Sequence, residues 1–177
     1  MTALIQAEQV SYSYPQRGLV LDQADLSLYV GEKVSLEGSN GAGKTTLLNL
    51  LVGLNKPKAG RIFAFGQERK IEADFVEVRS KAGFLFQDPD DQLFCPTVLE
   101  DVAFGPMNQG KTPEEAKVIS LEVLDCLGMQ GFEDRVTHQL SGGEKRLITL
   151  ASVLAMKPEV LLLDEPSNAL DKKRAFV

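Results

Sequence analysis

The sequence predicts an α/β fold, and three observations carry that expectation. Lys33-Val34-Ser35-Leu36 reads as a short buried strand that runs into a glycine-rich loop, Gly38 to Thr45, and then into a helix from Thr45 to Val52 that stops at Gly53. Val160-Leu161-Leu162-Leu163 is an apolar run typical of a parallel strand buried on both faces, and it ends in Asp164-Glu165-Pro166. Residues 3–14 and 19–30 alternate partially and end at Pro15 and Gly31, which predicts two antiparallel strands at the start of the chain.

The remaining elements follow in order. Pro57 to Gly60 marks a turn, and residues 61–66 read as a further strand of the antiparallel kind. Residues 74–81 suit a short helix and residues 82–86 a buried strand ending at Gln87. From Asp88 to Asn108 the turn formers Pro89, Pro96, Gly105 and Pro106 interleave with apolar residues, so a short helix framed by loops is expected. Thr112-Pro113-Glu114-Glu115 is a capping box with proline at the first helical position, and Ala116, Ile119, Val123 and Leu127 line one face of the helix it opens. Ser141-Gly142-Gly143-Glu144 is a second capping box, starting a helix with Leu147, Leu150, Ala151 and Leu154 on one side and ending near Met156. Neither an internal repeat nor a linker is visible, so one domain of 177 residues is the default.

Composition narrows the function classes. The chain is 44% hydrophobic and 25% charged with a net charge of −6, and it lacks the basic stretch that a sequence-independent grip on nucleic acid requires. Cys95 and Cys126 are far apart and have no second Cys or His at metal-ligand spacing, which fits two reduced thiols in a cytosolic protein. The N-terminus has no basic region followed by an apolar one, and no apolar run reaches the roughly 18 residues of a membrane span. A soluble chain that neither spans nor crosses a membrane is the expectation.

The loop Gly38-Ser39-Asn40-Gly41-Ala42-Gly43-Lys44-Thr45 fits G-x-x-x-x-G-K-[ST], and strand and helix on either side supply its required context. Glycines let the backbone wrap an anion so that successive N–H groups and the positive end of the helix dipole face it. Lys44 adds a full charge for the β- and γ-phosphates, and the Thr45 hydroxyl suits the oxygen shell of Mg²⁺. The expected nucleotide-binding stretch is Gly38 through Thr46, and the fold a P-loop NTPase. The strand ending at Asp164 complements it, because a carboxylate at a strand's C-terminal edge holds Mg²⁺ while Glu165, one residue on, polarises the attacking water.

With these motifs in hand the chain resembles the ATP-binding cassette family over essentially its whole length. Leu140-Ser141-Gly142-Gly143-Glu144 is similar to the family's signature motif, with Glu144 where glutamine is more common. Gln87 stands where the family's Q-loop glutamine contacts Mg²⁺ and water, so the resemblance makes Gln87 and Glu165 catalytic and Thr45, Gln87 and Asp164 the metal ligands. Tyr14 stands where an aromatic stacks on adenine, although Tyr12 or Tyr14 equally suits a plain strand position. Ser167-Asn168-Ala169-Leu170-Asp171 is similar to the D-loop that crosses the dimer interface. Two glycines and a serine at a helix N-terminus make a second anion site, sensible if it closes on the ATP of another subunit.

Residues 86–94, followed by Pro96-Thr97-Val98 and Glu100 to Pro106, narrow the resemblance to cobalt/nickel and energy-coupling-factor vitamin importers. It implies an N-terminal antiparallel β subdomain, a RecA-like parallel core and a helical signature subdomain over about residues 88–156. It implies an ATP- and Mg²⁺-dependent ATPase subunit that pairs with a second cassette and sits peripherally on the cytoplasmic face of the membrane. An integral-membrane subunit would dock on exposed Leu93 and Phe94 beside Asp90, Asp91, Glu100 and Asp101. A family cassette continues past the D-loop to further strands and a switch histidine; here those C-terminal strands are missing, and His138 reads as a solvated loop residue. A truncated, catalytically weak product and a non-transport cassette ATPase are the alternative readings.

Overall fold

The computed structural model describes residues 3–15 and 18–166. It divides into two compact units, Met1–Arg79 and Ser80–Val177. The D-loop expectation at Ser167–Asp171 lies outside the described residues.

The first unit is built on a four-stranded antiparallel sheet. Its strands are β1 (Ile5–Ser13), β2 (Leu19–Leu28), β3 (Ala59–Ala64) and β4 (Gln67–Arg69), in the order β2-β1-β3-β4. In β1, Ile5, Ala7 and Val10 are buried, so strict alternation breaks after Ala7. The cause is a bulge: Gln9 has φ 49 and the β1–β2 register shifts between Ala7 and Val10, which turns Val10 back to the core side. Helix α1 (Lys44–Leu51) packs Leu47, Leu48, Leu50 and Leu51 inward. Helix α2 (Glu72–Lys81) contributes Phe75 and Val78 to burial and runs across the division between the units. The two antiparallel strands, the helix after the glycine loop and the strand near residue 61 all form as expected.

The strand expected at Lys33–Leu36 does not form. No ladder includes these residues, and Val34 is 48% exposed. The local apolar pattern is real, but a strand exists only when a neighbour accepts and donates its backbone hydrogen bonds.

The second unit carries strands β5 (Ala82–Leu85) and β6 (Val160–Leu163) as a parallel pair, in register from Ala82↔Val160 to Leu85↔Leu163. Around them are α3 (Val98–Asn108), α4 (Pro113–Cys126) and α5 (Gly142–Ala155). Each of the three helices opens on a formed capping box: Thr97 with Glu100, Thr112 with Glu115, and Ser141 with Glu144. Val98 and Val102 of α3, Leu124 of α4, and Leu147, Ile148 and Ala151 of α5 meet in one core cluster, with Ile119, Val123 and Leu127 packed against it. Gly83 lets α5 approach the strands, since a Cβ there would fall 2.4 Å from Val153 Cγ1. The expectation that β6 is buried on both faces is corrected: Leu161 is 42% exposed. Among the described residues β6 has a hydrogen-bonded neighbour on one edge, β5, and a two-stranded sheet offers little cover to the face that carries Leu161.

Among the described residues no helix is long and apolar enough to cross a membrane.

Candidate functional site

In the first unit the glycine loop has the backbone that its sequence demands. Gly41 (φ 83) and Gly43 (φ 95) occupy the left-handed region, where a side chain would be strained. Gly43 is the N-cap of α1 and lies so close to β2 that a Cβ would meet Leu21 Cδ2 at 2.9 Å. Ala42 N–H donates to the Ser39 carbonyl at 3.1 Å, closing the turn. Lys44 is half-buried, and its Nζ donates to the carbonyls of Gly38 (2.8 Å) and Ser39 (3.2 Å), which holds the ammonium over the loop. Ser39, Asn40 and Thr45 are exposed, whereas Thr46 is buried. Tyr14 follows the end of β1, and its hydroxyl lies 3.2 Å from Thr46 Oγ1 in the first turn of α1. Its ring meets Tyr12 edge-on at 5.0 Å.

In the second unit, the ends of the parallel strands bring three expected residues together. Gln87 follows β5; Asp164 and Glu165 follow β6. Gln87 Nε2 donates to Glu165 Oε2 at 3.3 Å. Asp164 is 3% exposed; its N–H continues the ladder to the Leu85 carbonyl at 3.0 Å, and its Oδ2 is buried without a hydrogen-bond partner. A buried carboxylate oxygen lacking a proton donor is costly on its own. It is the hard anionic donor that Mg²⁺ takes, so the side chain fits a metal ligand. Glu165 has φ 47, a left-handed conformation unusual for a residue with a side chain.

The signature stretch is also formed. Ser141 caps α5, accepting from Glu144 N–H at 3.4 Å, while Glu144 Oε2 accepts from Ser141 N–H (2.8 Å) and from its hydroxyl (2.7 Å). Ser141 and Gly142 are exposed at the start of a fourteen-residue helix. The carboxylate of Glu144 faces Arg135 at 3.5 Å, a cation that offsets the acid standing at this position.

The family model described as ABC transporter matches residues 21–168, most of the chain. The chain belongs to the ABC transporter family. Its ABC ATPase domain resembles that of a Brucella suis protein that carries the name of an ABC transporter ATP-binding protein, at 56% identity over 98% of this chain and 72% of the relative. The energy-coupling factor transporter ATP-binding protein EcfA of Methanothermobacter thermautotrophicus is 46% identical over 97% of this chain. The chain spans 56% of that relative's length. Among solved structures, cbiO1 from Clostridium perfringens, part of the ABC transporter complex cbiONQ, superposes with a TM-score of 0.81 at 34% identity, covering 96% of this chain and 68% of cbiO1. The ABC transporter cassette MJ0796, solved as a dimer and in a post-hydrolysis state with ADP and Pi, gives 0.87 at 28% identity over 96% of this chain and 77% of its own.

Within the ABC domain two expectations about residues 88–106 are corrected. Leu93 is half-buried and packs on the helical core, whereas Phe94 is 66% exposed. Asp101 is 4% exposed rather than a surface acid; its Oδ1 accepts from the N–H groups of Phe94 (3.2 Å) and Cys95 (3.1 Å), and its Oδ2 has no partner. Burial pushes the Asp101 carboxyl above its ordinary range, against those two hydrogen bonds. Burial also raises the Cys95 thiol to about 11, with Asp101 adding to the shift. His138 is exposed as expected but lies in a one-turn 3₁₀ helix, Thr137–Gln139, rather than in a plain loop.

Sequence reasoning missed Arg146. It is 1% exposed, yet beside Lys145 it reads as a solvated cation. The signal in the sequence is that Arg146 heads the run Leu147-Ile148-Thr149-Leu150-Ala151, whose one polar residue is Thr149. Burial lowers its pKa from the usual range, opposed by Asp164, Glu165 and Asp88.

Proposed function

We propose that the chain binds Mg·ATP through Gly38–Thr46 and hydrolyses it with Gln87 and Glu165, as the ATPase subunit of a membrane importer. The observation that carries this reading is the glycine loop: Gly41 and Gly43 in left-handed conformations, an eight-residue helix starting at Lys44, and the Lys44 ammonium held over the loop. Tyr14, beside Thr46, is proposed to stack on adenine. Thr45, Gln87 and Asp164 are the proposed oxygen ligands of Mg²⁺, which when bound would neutralise charge on the β- and γ-phosphates. Asp164 would present the oxygen that lacks a partner. Glu165 would orient water for attack, with Gln87 fixing the carboxylate's direction.

The exposed start of α5 at Ser141 and Gly142 supports a second role, closing on the ATP of another cassette. The likeness to EcfA, named for an energy-coupling factor transporter, and to cbiO1 supports a transporter of that kind, and the resemblance of residues 86–106 proposes cobalt/nickel or a vitamin as its cargo. Its membrane subunit would dock on the apolar surface of Phe94 and Phe104, whose rings stack edge-on at 4.8 Å and remain 66% and 45% exposed. The proposed location is the cytoplasmic face of the membrane.

Titration calorimetry of Lys44→Ala with ATP tests the core of this reading. Loss of a charge-assisted contact worth about 1.5–3 kcal/mol predicts about ten- to hundredfold weaker binding. Equal affinity in variant and parent would overturn the assignment.

A further inference from the structure

The parallel pairing of β5 and β6 ends at Leu85↔Leu163, followed by one more bond from Asp164 N–H to the Leu85 carbonyl. Beyond it the carbonyls of both exiting segments need donors. One side chain supplies them. Arg146 Nη1 donates to the carbonyls of Phe86 and Gln87, the latter at 3.3 Å. Nη2 donates to Asp164 (2.7 Å) and Glu165 (2.6 Å), and Nε to Pro166 (3.3 Å). Five carbonyls from two chain segments thus converge on one planar guanidinium.

The chemistry explains the residue type. A guanidinium carries five N–H donors in a rigid fork, whereas an ammonium offers three from one nitrogen on a flexible stem and cannot serve all five carbonyls. Carbonyl dipoles hold the cation, and the nearby charges of Asp164, Glu165 and Asp88 favour it against the cost of burial. Glu165 is held where its backbone is left-handed, at φ 47, and Arg146 grips its carbonyl.

We propose that Arg146 is a positioning residue for ATP hydrolysis: by gripping both backbone segments it sets the separation of the Gln87 and Glu165 side chains. The inference rests on the proposed ATPase reading and deepens it. Because Arg146 sits on α5, which begins at Ser141, the same rigid helix carries both the exposed Ser141–Gly142 start and the grip on the hydrolytic pair. Any ligand that shifts the start of α5 therefore shifts the alignment of Gln87 and Glu165.

The test uses Arg146→Lys and Arg146→Gln in the full protein with its transport partners, reading steady-state kinetics and amide hydrogen exchange. Misplacement of a hydrolytic carboxylate predicts a fall in kcat of about ten- to hundredfold, with Lys above Gln. KM for ATP stays within about twofold, since the glycine loop is untouched. Peptides covering 84–90 and 161–166 exchange faster together, while those covering β1, β3 and α4 keep their parental rates. Unchanged kcat overturns the proposal. So does faster exchange across the whole protein with parallel loss of ATP affinity, which marks a residue needed only for folding. If the parent itself releases no phosphate, the ATPase reading fails, and the exchange measurement still decides whether Arg146 ties the two segments: unchanged rates in both peptides overturn it.

Discussion

Gln87 Nε2 and Glu165 Oε2 stand 3.3 Å apart at the ends of adjacent parallel strands, joining residues that are 78 positions apart in the chain. Such a pair lets the Gln87 amide orient the Glu165 carboxylate, the geometry that a positioned proton acceptor requires. Glu165→Gln keeps the shape and removes the proposed base. ATP hydrolysis in the presence of the transport partners is expected to fall by about a hundredfold or more, while ATP affinity stays near parental. Phosphate release equal to the parent's would place the base elsewhere.

The docking surface makes a residue-specific prediction. Phe94 is exposed and stacks on Phe104, whereas Leu93 points into the helical core. A cysteine at 94 should crosslink to an integral-membrane partner in native membranes; a cysteine at 93 should not. Absence of any membrane crosslink from 94, with ATP binding intact, would count against docking at this surface.

Asp101 predicts a pH dependence of stability. Its folded carboxyl titrates above the ordinary value of 3.8, with burial as the main cause. Proton binding to the folded state is therefore favoured, so the contribution of this group is fully present below pH 3.8 and is lost as pH rises through the folded value. Asp101→Asn removes the titration while keeping an acceptor for Phe94 and Cys95. Its melting temperature relative to the parent should climb as the pH is raised from acid to neutral, as thermal melts across that range would reveal. A difference that is flat or falls with pH contradicts the assignment.

The two thiols should separate kinetically. Cys126 is exposed, whereas Cys95 is partly buried, and burial raises its thiol to about 11. At pH 8 only about a thousandth of a thiol with that value is thiolate. A disulfide reagent should then modify Cys126 rapidly and Cys95 slowly, with the slow phase accelerating tenfold per pH unit. Two equal fast phases at pH 8 would show that the Cys95 environment is open.

What the sequence determined by itself is local. The glycine spacing around Lys44, the capping boxes at Thr112 and Ser141, and the apolar periodicity of α4 and α5 are each decided within a few residues, because cap bonds and helix faces close between near neighbours. The acidic pair after β6 was legible for the same reason. Tertiary structure decided whatever needs a distant partner. Lys33–Leu36 has the composition of a strand and is none, since a ladder requires a neighbour that no local pattern supplies. Asp101 and Arg146 look like surface charges and are buried, since a charge is tolerated inside only where groups from remote segments meet it. For Asp101 those groups are the N–H of Phe94 and Cys95; for Arg146 they are carbonyls after β5 and β6, brought together only when the two strands pair.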